Sequence, residues 1–176
     1  MKISIVAAVI VIVACSTPST VAPLTIPLQY KTMASPRDEK TIGKRFVEGK
    51  NAPAATVTTT SDVPASVTAG LESAVKRAGI ATKAGAPVLA IAVDQITTSE
   101  NVLHRSGYEA HISVDAELRS AGGAACWKGH ADGSAENYGY AGSSENYQET
   151  LNHALDRAII RVLGAPELKK TICFCG

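Results

Sequence analysis

The 176 residues carry 17 Lys and Arg against 16 Asp and Glu, a net charge of +1, and 45% are apolar, 19% charged and 5% aromatic. That is enough chain for one folded domain and too little for two separate cores. Charge so evenly balanced gives no field to gather nucleic acid, the few aromatics leave little for base stacking, and four cysteines are too few for a disulfide-dense mini-protein.

After Met1-Lys2, residues 3–13 form a segment of 11 that is apolar except at Ser4. Crossing a bilayer core of about 30 Å takes about 20 residues, so this run has the length of a signal-peptide core. It ends in Ile12-Val13-Ala14-Cys15-Ser16. A branched apolar residue, a small residue and then Cys resembles a bacterial lipobox. The resemblance implies a signal peptide over 1–14, cleavage before Cys15, acylation of the Cys15 thiol and of the new amine by chains such as palmitate, and a lipid anchor. Several chains hold firmly, since each buried methylene contributes about 0.8 kcal/mol and one chain alone is marginal. Ser16, where Asp would resemble an inner-membrane retention signal, implies an outer-membrane protein facing the periplasm. An ordinary secretory signal with an incidental Cys is the competing reading. Both readings place the fold in an oxidising space.

Residues 15–23 are the lipidated Cys and a flexible tether. Their small polar residues and two prolines cannot build a core, and eight extended residues reach at most about 28 Å. The body, 24–164, reads as a single α+β domain, followed by a Cys-containing tail over 165–176. Leu24, Ile26 and Leu28 share one parity in a first strand over 24–31, which Pro23 and Pro27 suit to a sheet edge. Residues 35–40 are a polar loop, 41–47 a short strand and 49–51 a turn. Residues 55–60 are rich in β-branched side chains but weakly patterned.

Ser61-Asp62-Val63-Pro64 is a helix start with a capping side chain and a first-turn proline. Val63, Val67, Leu71, Ala74, Val75 and Ala78 then recur at helical spacing up to Gly79. Residues 87–98 predict a central strand, because 88–93 are apolar on both parities, with Asp94-Gln95 breaking the run.

Over 107–120, Tyr108, Ala110, Ile112, Val114, Ala116 and Leu118 alternate with polar residues, giving a strand with one dry and one wet face. After the turn at 121–124 the parity inverts, with Trp127, Gly129, Ala131, Gly133 and Ala135 on the dry side. Aligning the dry faces places Leu118 opposite Trp127, Glu117 opposite Lys128 and Asp115 opposite His130. Opposite charges facing one another favour that register by a few tenths to about 1 kcal/mol. The small inward residues leave room for a helix to pack closely. That helix spans about 145–163, capped by Ser143 or Ser144 and stopped by Gly164 and Pro166. The whole predicts a two-layer α+β sandwich, an antiparallel sheet of about four to five strands covered on one face by two helices.

Candidate chemistry is sparse. No catalytic triad motif, phosphate-binding loop or dinucleotide fingerprint occurs. The four histidines, His104, His111, His130 and His153, lack metal-ligand spacing. His111 and His130 fall on the wet face with Asp115 and Asp132, where neutral imidazoles could hold zinc or copper. A solvated polar ladder is the favoured reading. Glu-Asn-Tyr occurs at 136–138 and again at 145–147, so Tyr138, Tyr140 and Tyr147 could form a recognition loop. In an oxidising space Cys126 is expected to bond either Cys173 or Cys175, and closing a loop of roughly 50 residues contributes about 4 kcal/mol in the entropy model.

Arg37-Asp38 followed by Ile42-Gly43, the helix ending in Ala78-Gly79-Ile80, the strand over 88–93, the hairpin and the closing helix over 151–163 resemble the YajG-like group of small bacterial outer-membrane lipoproteins. The resemblance covers most of the chain; the Cys-bearing tail departs from it. It implies an envelope lipoprotein and supplies no catalytic residues. The reading that follows is a non-enzymatic accessory or binding protein without cofactor, anchored in a bilayer through Cys15 and binding an envelope protein by a sheet edge or the wet hairpin face. The alternative is a small metal-binding or enzymatic periplasmic protein using the His/Asp face of the 107–138 hairpin.

Overall fold

The computed structural model describes residues 29–32, 41–47, 52–60, 62–81, 84–102 and 106–175. The signal peptide over 1–14, Cys15 and its tether, the start of the first strand, the loop over 35–40, the turn over 49–51 and His104 lie outside the described residues. The elements in chain order are β1 (Gln29–Thr32), β2 (Thr41–Val47), β3 (Ala55–Thr58), α1 (Val63–Arg77), β4 (Val88–Val102), β5 (Ser106–Arg119), β6 (Ala125–Gly139), α2 (Ser144–Gly164) and α3 (Pro166–Ile172).

The architecture is an α+β sandwich, as the alternating patterns imply, but its sheet is mixed rather than antiparallel throughout, with six strands among the described residues. The order is β3-β2-β4-β5-β6. β1 and β2 both run parallel to β4 and share one of its edges, β1 against Val88–Ile91 and β2 from Thr98 to Val102. Parallel neighbours need a long crossover connection, which the segment carrying α1 provides. Gly43 is the point of closest approach. A Cβ there would lie 2.5 Å from the Thr98 Cγ2 and collide with the Thr98 carbonyl, so only glycine admits the β2–β4 pairing at that position.

β4 is buried on both faces, with Leu89, Ile91 and Val93 toward the helices and Ala90 and Ala92 on the opposite side. Asp94-Gln95 does not end it. The register with β5 shifts between Val93 and Gln95, a bulge that lets the strand run on to Val102. Beyond the bulge Ile96, Thr98 and Glu100 pair with Ile112, Ala110 and Tyr108, and so take the helix-side parity.

β5 and β6 form the hairpin in the expected register, Leu118 opposite Trp127, Glu117 opposite Lys128 and Asp115 opposite His130. The small residues of β6 have the expected use. A Cβ on Gly133 would stand 2.6 Å from the Ala158 nitrogen and clash with the Ala154 carbonyl, so α2 lies against bare backbone.

Asp62 caps α1 by accepting the Ala65 N–H at 3.1 Å, and Ser143 caps α2 by accepting the Asn146 N–H at 3.3 Å. Arg77 of α1 pairs with Asp156 of α2. Val67, Leu71 and Val75 of α1 and Leu155, Ala158, Ile159 and Val162 of α2 meet the inner face of the sheet in one core.

The Cys-containing tail over 165–176 carries a further helix that the sequence reading did not assign. Ala165, with ψ 123°, breaks from α2, and Pro166 opens α3 at a position where its missing N–H costs nothing. Leu168 and Ile172 enter the core four residues apart. Of the two partners open to Cys126, the structure forms the bond to Cys175, with Cα atoms 5.7 Å apart. The bond fastens the end of α3 to the start of β6.

Candidate functional site

The outer face of the hairpin gathers the predicted polar residues. Antiparallel pairing sets Asp115 beside His130 and Ser113 beside Asp132. His130 Nδ1 is 2.9 Å from Asp115 Oδ1, and its Nε2 is 3.5 Å from Asp132 Oδ1. Ser113 donates to Asp132 Oδ1 at 2.6 Å. His111 Nε2 is 3.4 Å from the same oxygen, and its Nδ1 is 3.2 Å from Ser134 Oγ. The hydrogen bond to Asp115, with the charge of Asp132, raises the His130 pKa above its ordinary 6.5. The Ser113 hydroxyl, with the charges of His130 and His111, lowers that of Asp132. Farther along the face, Arg119 and then Lys128 lower the pKa of Glu117.

His111, His130, Asp115 and Asp132 are therefore brought together, but as a chain of mutual partners. A ring with a carboxylate at each nitrogen is favoured as imidazolium, which has no lone pair for a metal. Among the described residues, no group of three or more His, Cys, Asp or Glu is arranged to hold a metal ion. His153 stands apart, exposed on α2.

Among the described residues β3 lies at one edge of the sheet and β6 at the other. Arg161 of α2 donates to the Asp132 carbonyl at 2.6 Å, and Arg157 donates to that of Ser134. The middle of this free edge is thus capped by guanidinium groups from the same chain.

A second cluster, absent from the sequence reading, lies on the inner side beyond the β4 bulge. Glu100 is fully buried. Its Oε2 accepts from the Tyr147 hydroxyl at 2.9 Å and its Oε1 from the Gly142 N–H at 2.8 Å. Arg45 Nε of β2 is 3.0 Å from Oε2, an ion pair without the alignment of a hydrogen bond. Tyr108, also fully buried, meets Tyr147 edge to face with centroids 4.8 Å apart. Its hydroxyl donates to the Tyr140 carbonyl and accepts the Ser143 N–H at 3.1 Å. Burial, then the bond to Glu100, pushes the Tyr147 pKa upward. The two Glu-Asn-Tyr repeats thus diverge. Tyr138 and Tyr140 are exposed, whereas Tyr147 turns inward to the carboxylate. The alternation Ile96, Thr98, Glu100 carries the signal for this cluster, but only once the bulge is known.

Beside the cluster is a cleft of about 520 Å³, bounded by β2, β3, the start of α1 and α2. Ile42, Val67, Val93, Ile96, Leu151 and Leu155 are among its apolar walls, and Arg45, Glu100 and Tyr147 also line it. Sites for small ligands occupy about 300–1,000 Å³.

No family model matches the chain, and no curated protein matches its sequence. Among solved structures, a Xanthomonas campestris protein of family DUF330 superposes with a TM-score of 0.57 at 13% identity, over 87% of this chain and 90% of that one. A minor lipoprotein from Acinetobacter baumannii gives a TM-score of 0.47 at 12% identity, over 84% of this chain and 96% of that one. What this chain shares with the Xanthomonas protein is the fold.

Proposed function

We propose that the protein is an outer-membrane lipoprotein, anchored through acylated Cys15 on the periplasmic face, with a non-enzymatic binding role toward another envelope protein. The apolar run over 3–13 ending in Ala14-Cys15 carries this reading, and the YajG-like resemblance of the layout supports it. Among the described residues no helix is long and apolar enough to cross a membrane. The outer face of the hairpin suits partner binding better than strand addition does, because Arg157 and Arg161 already occupy edge carbonyls of β6.

Metabolic labelling with an alkyne-bearing palmitate tests the anchor. The natural chain should take up label and a Cys15→Ser chain should not; an unlabelled natural chain overturns the reading. A photo-crosslinker at Lys128 should trap one discrete envelope protein in intact cells, and its failure to trap any counts against the binding role. Elemental analysis separates the metal-binding alternative: stoichiometric metal lost on His130→Ala would replace the binding reading.

A further inference from the structure

We propose that the cleft beside Glu100 binds a neutral acyl lipid, with one alkyl chain along the apolar walls and an uncharged carbonyl oxygen at Arg45. The proposal stands whether or not Cys15 is acylated. Domain interiors are close-packed, with few voids larger than a water molecule. Here about 520 Å³ stays open on the core side of the sheet, and Val63, Ile96 and Leu151 are left only part-buried along it. The space fits a small ligand and is too small for a folded partner.

Three features choose the ligand class. The walls are aliphatic, so they favour a chain over a ring system bearing many polar groups. The charges that line the cleft beside Glu100 cancel. Arg45 faces Glu100, and Tyr147 and Gly142 take the carboxylate's two oxygens. A carboxylate, phosphate or ammonium entering there would be desolvated without a free counter-charge, which disfavours a charged ligand. Arg45 Nε is buried and, although 3.0 Å from Glu100 Oε2, makes no aligned hydrogen bond, so an ester or amide carbonyl could supply one while the ion pair stays in place. Thr56, Thr58, Ser66, Gln148 and Asn152, also in the lining, offer hydroxyl and amide groups to a polar but uncharged end group.

The test presents the full chain with phosphatidylcholine vesicles containing a monoacylglycerol that carries a diazirine in its acyl chain. Illumination should give saturable labelling within 88–102 and 144–164. Unlabelled monoacylglycerol should reduce it about tenfold at a concentration where the matching fatty acid does not. Ser66→Trp and Leu151→Trp obstruct the cleft from opposite sides, and each should lower labelling about tenfold in chains that still unfold cooperatively. Should both variants misfold, the competition between ester and fatty acid in the unaltered chain decides. Labelling that never saturates, equal displacement by the fatty acid, or labelling that appears only in a Cys15→Ser chain overturns the proposal. The last result assigns the cleft to the protein's own acyl chain.

Discussion

The Tyr147 hydroxyl of α2 donates to the Glu100 carboxylate of β4 at 2.9 Å, across the seam between helix layer and sheet. Glu100 is fully buried, so each of its donors offsets part of the cost of desolvating a charge.

Tyr147→Phe keeps the ring against Tyr108 and removes only that donor. The variant should lose about 1–3 kcal/mol of stability. Arg45→Met, which leaves the carboxylate without its counter-charge, should cost about 3–5 kcal/mol, less whatever solvent at the part-exposed guanidinium recovers. Denaturant midpoints at neutral pH measure both. A Tyr147→Phe protein as stable as the parent would show that the bond contributes nothing.

Gly133 separates packing from propensity. Gly133→Ala drives a methyl into the α2 backbone and should destabilise by about 1–3 kcal/mol. Gly164→Ala, at the end of α2 with open space around it, should be neutral or stabilise by up to about 1 kcal/mol. Thermal melts of the two variants should therefore move in different directions from the parent, or one should not move.

Much of the hairpin was legible in the sequence, because alternation with a parity inversion leaves few registers that bury both dry faces. The two amphipathic helices were legible for the same reason. The parallel pairings of β1 and β2 were not, since nothing local distinguishes a strand that pairs with a neighbour from one that waits for residues 88–102. The bulge at Val93/Gln95 hid Glu100 by shifting parity inside the strand read over 87–98 and carrying it on past residue 98. Arg45 and Tyr147 meet across about a hundred residues of chain, so the buried cluster and its cleft exist only in the folded molecule. The helix after Pro166 was hidden because a proline following a helix reads as a stop, although it also suits a new first turn.

The Cys126–Cys175 bond closes a separation of 49 residues. Cys126→Ser and Cys175→Ser should each cost about 4 kcal/mol in the entropy model, and the double variant no more than either alone. Unfolding of the three proteins under one set of oxidising conditions checks this. Additive losses would show that the two cysteines do not act as a pair.

The hairpin ladder predicts a pH dependence. His130 has a folded-state pKa above its ordinary 6.5, so its contribution is complete below 6.5 and is lost as pH rises through the higher folded value. Asp132 lies below its ordinary 3.8, so its contribution is complete above 3.8 and is lost as pH falls through the lower folded value. Together they stabilise most between 3.8 and 6.5. Both groups are solvated, so the effect is small and salt weakens it. The melting temperature of the parent should exceed that of His130→Gln in this window, with the difference shrinking toward about pH 9. A difference independent of pH would contradict the assignment.

The sharing of one β4 edge by β1 and β2 has a consequence for how the chain is made. Synthesis runs from the amino terminus, so both strands emerge well before the strand that completes them. β2 can pair at once with β3, but β1 and the other side of β2 have no partner until then, the kind of edge that recruits foreign chains. The β5–β6 hairpin, by contrast, closes between neighbours in sequence and needs no such wait. The first strands in the chain thus find their places on the sheet only once residues 88–102 are present.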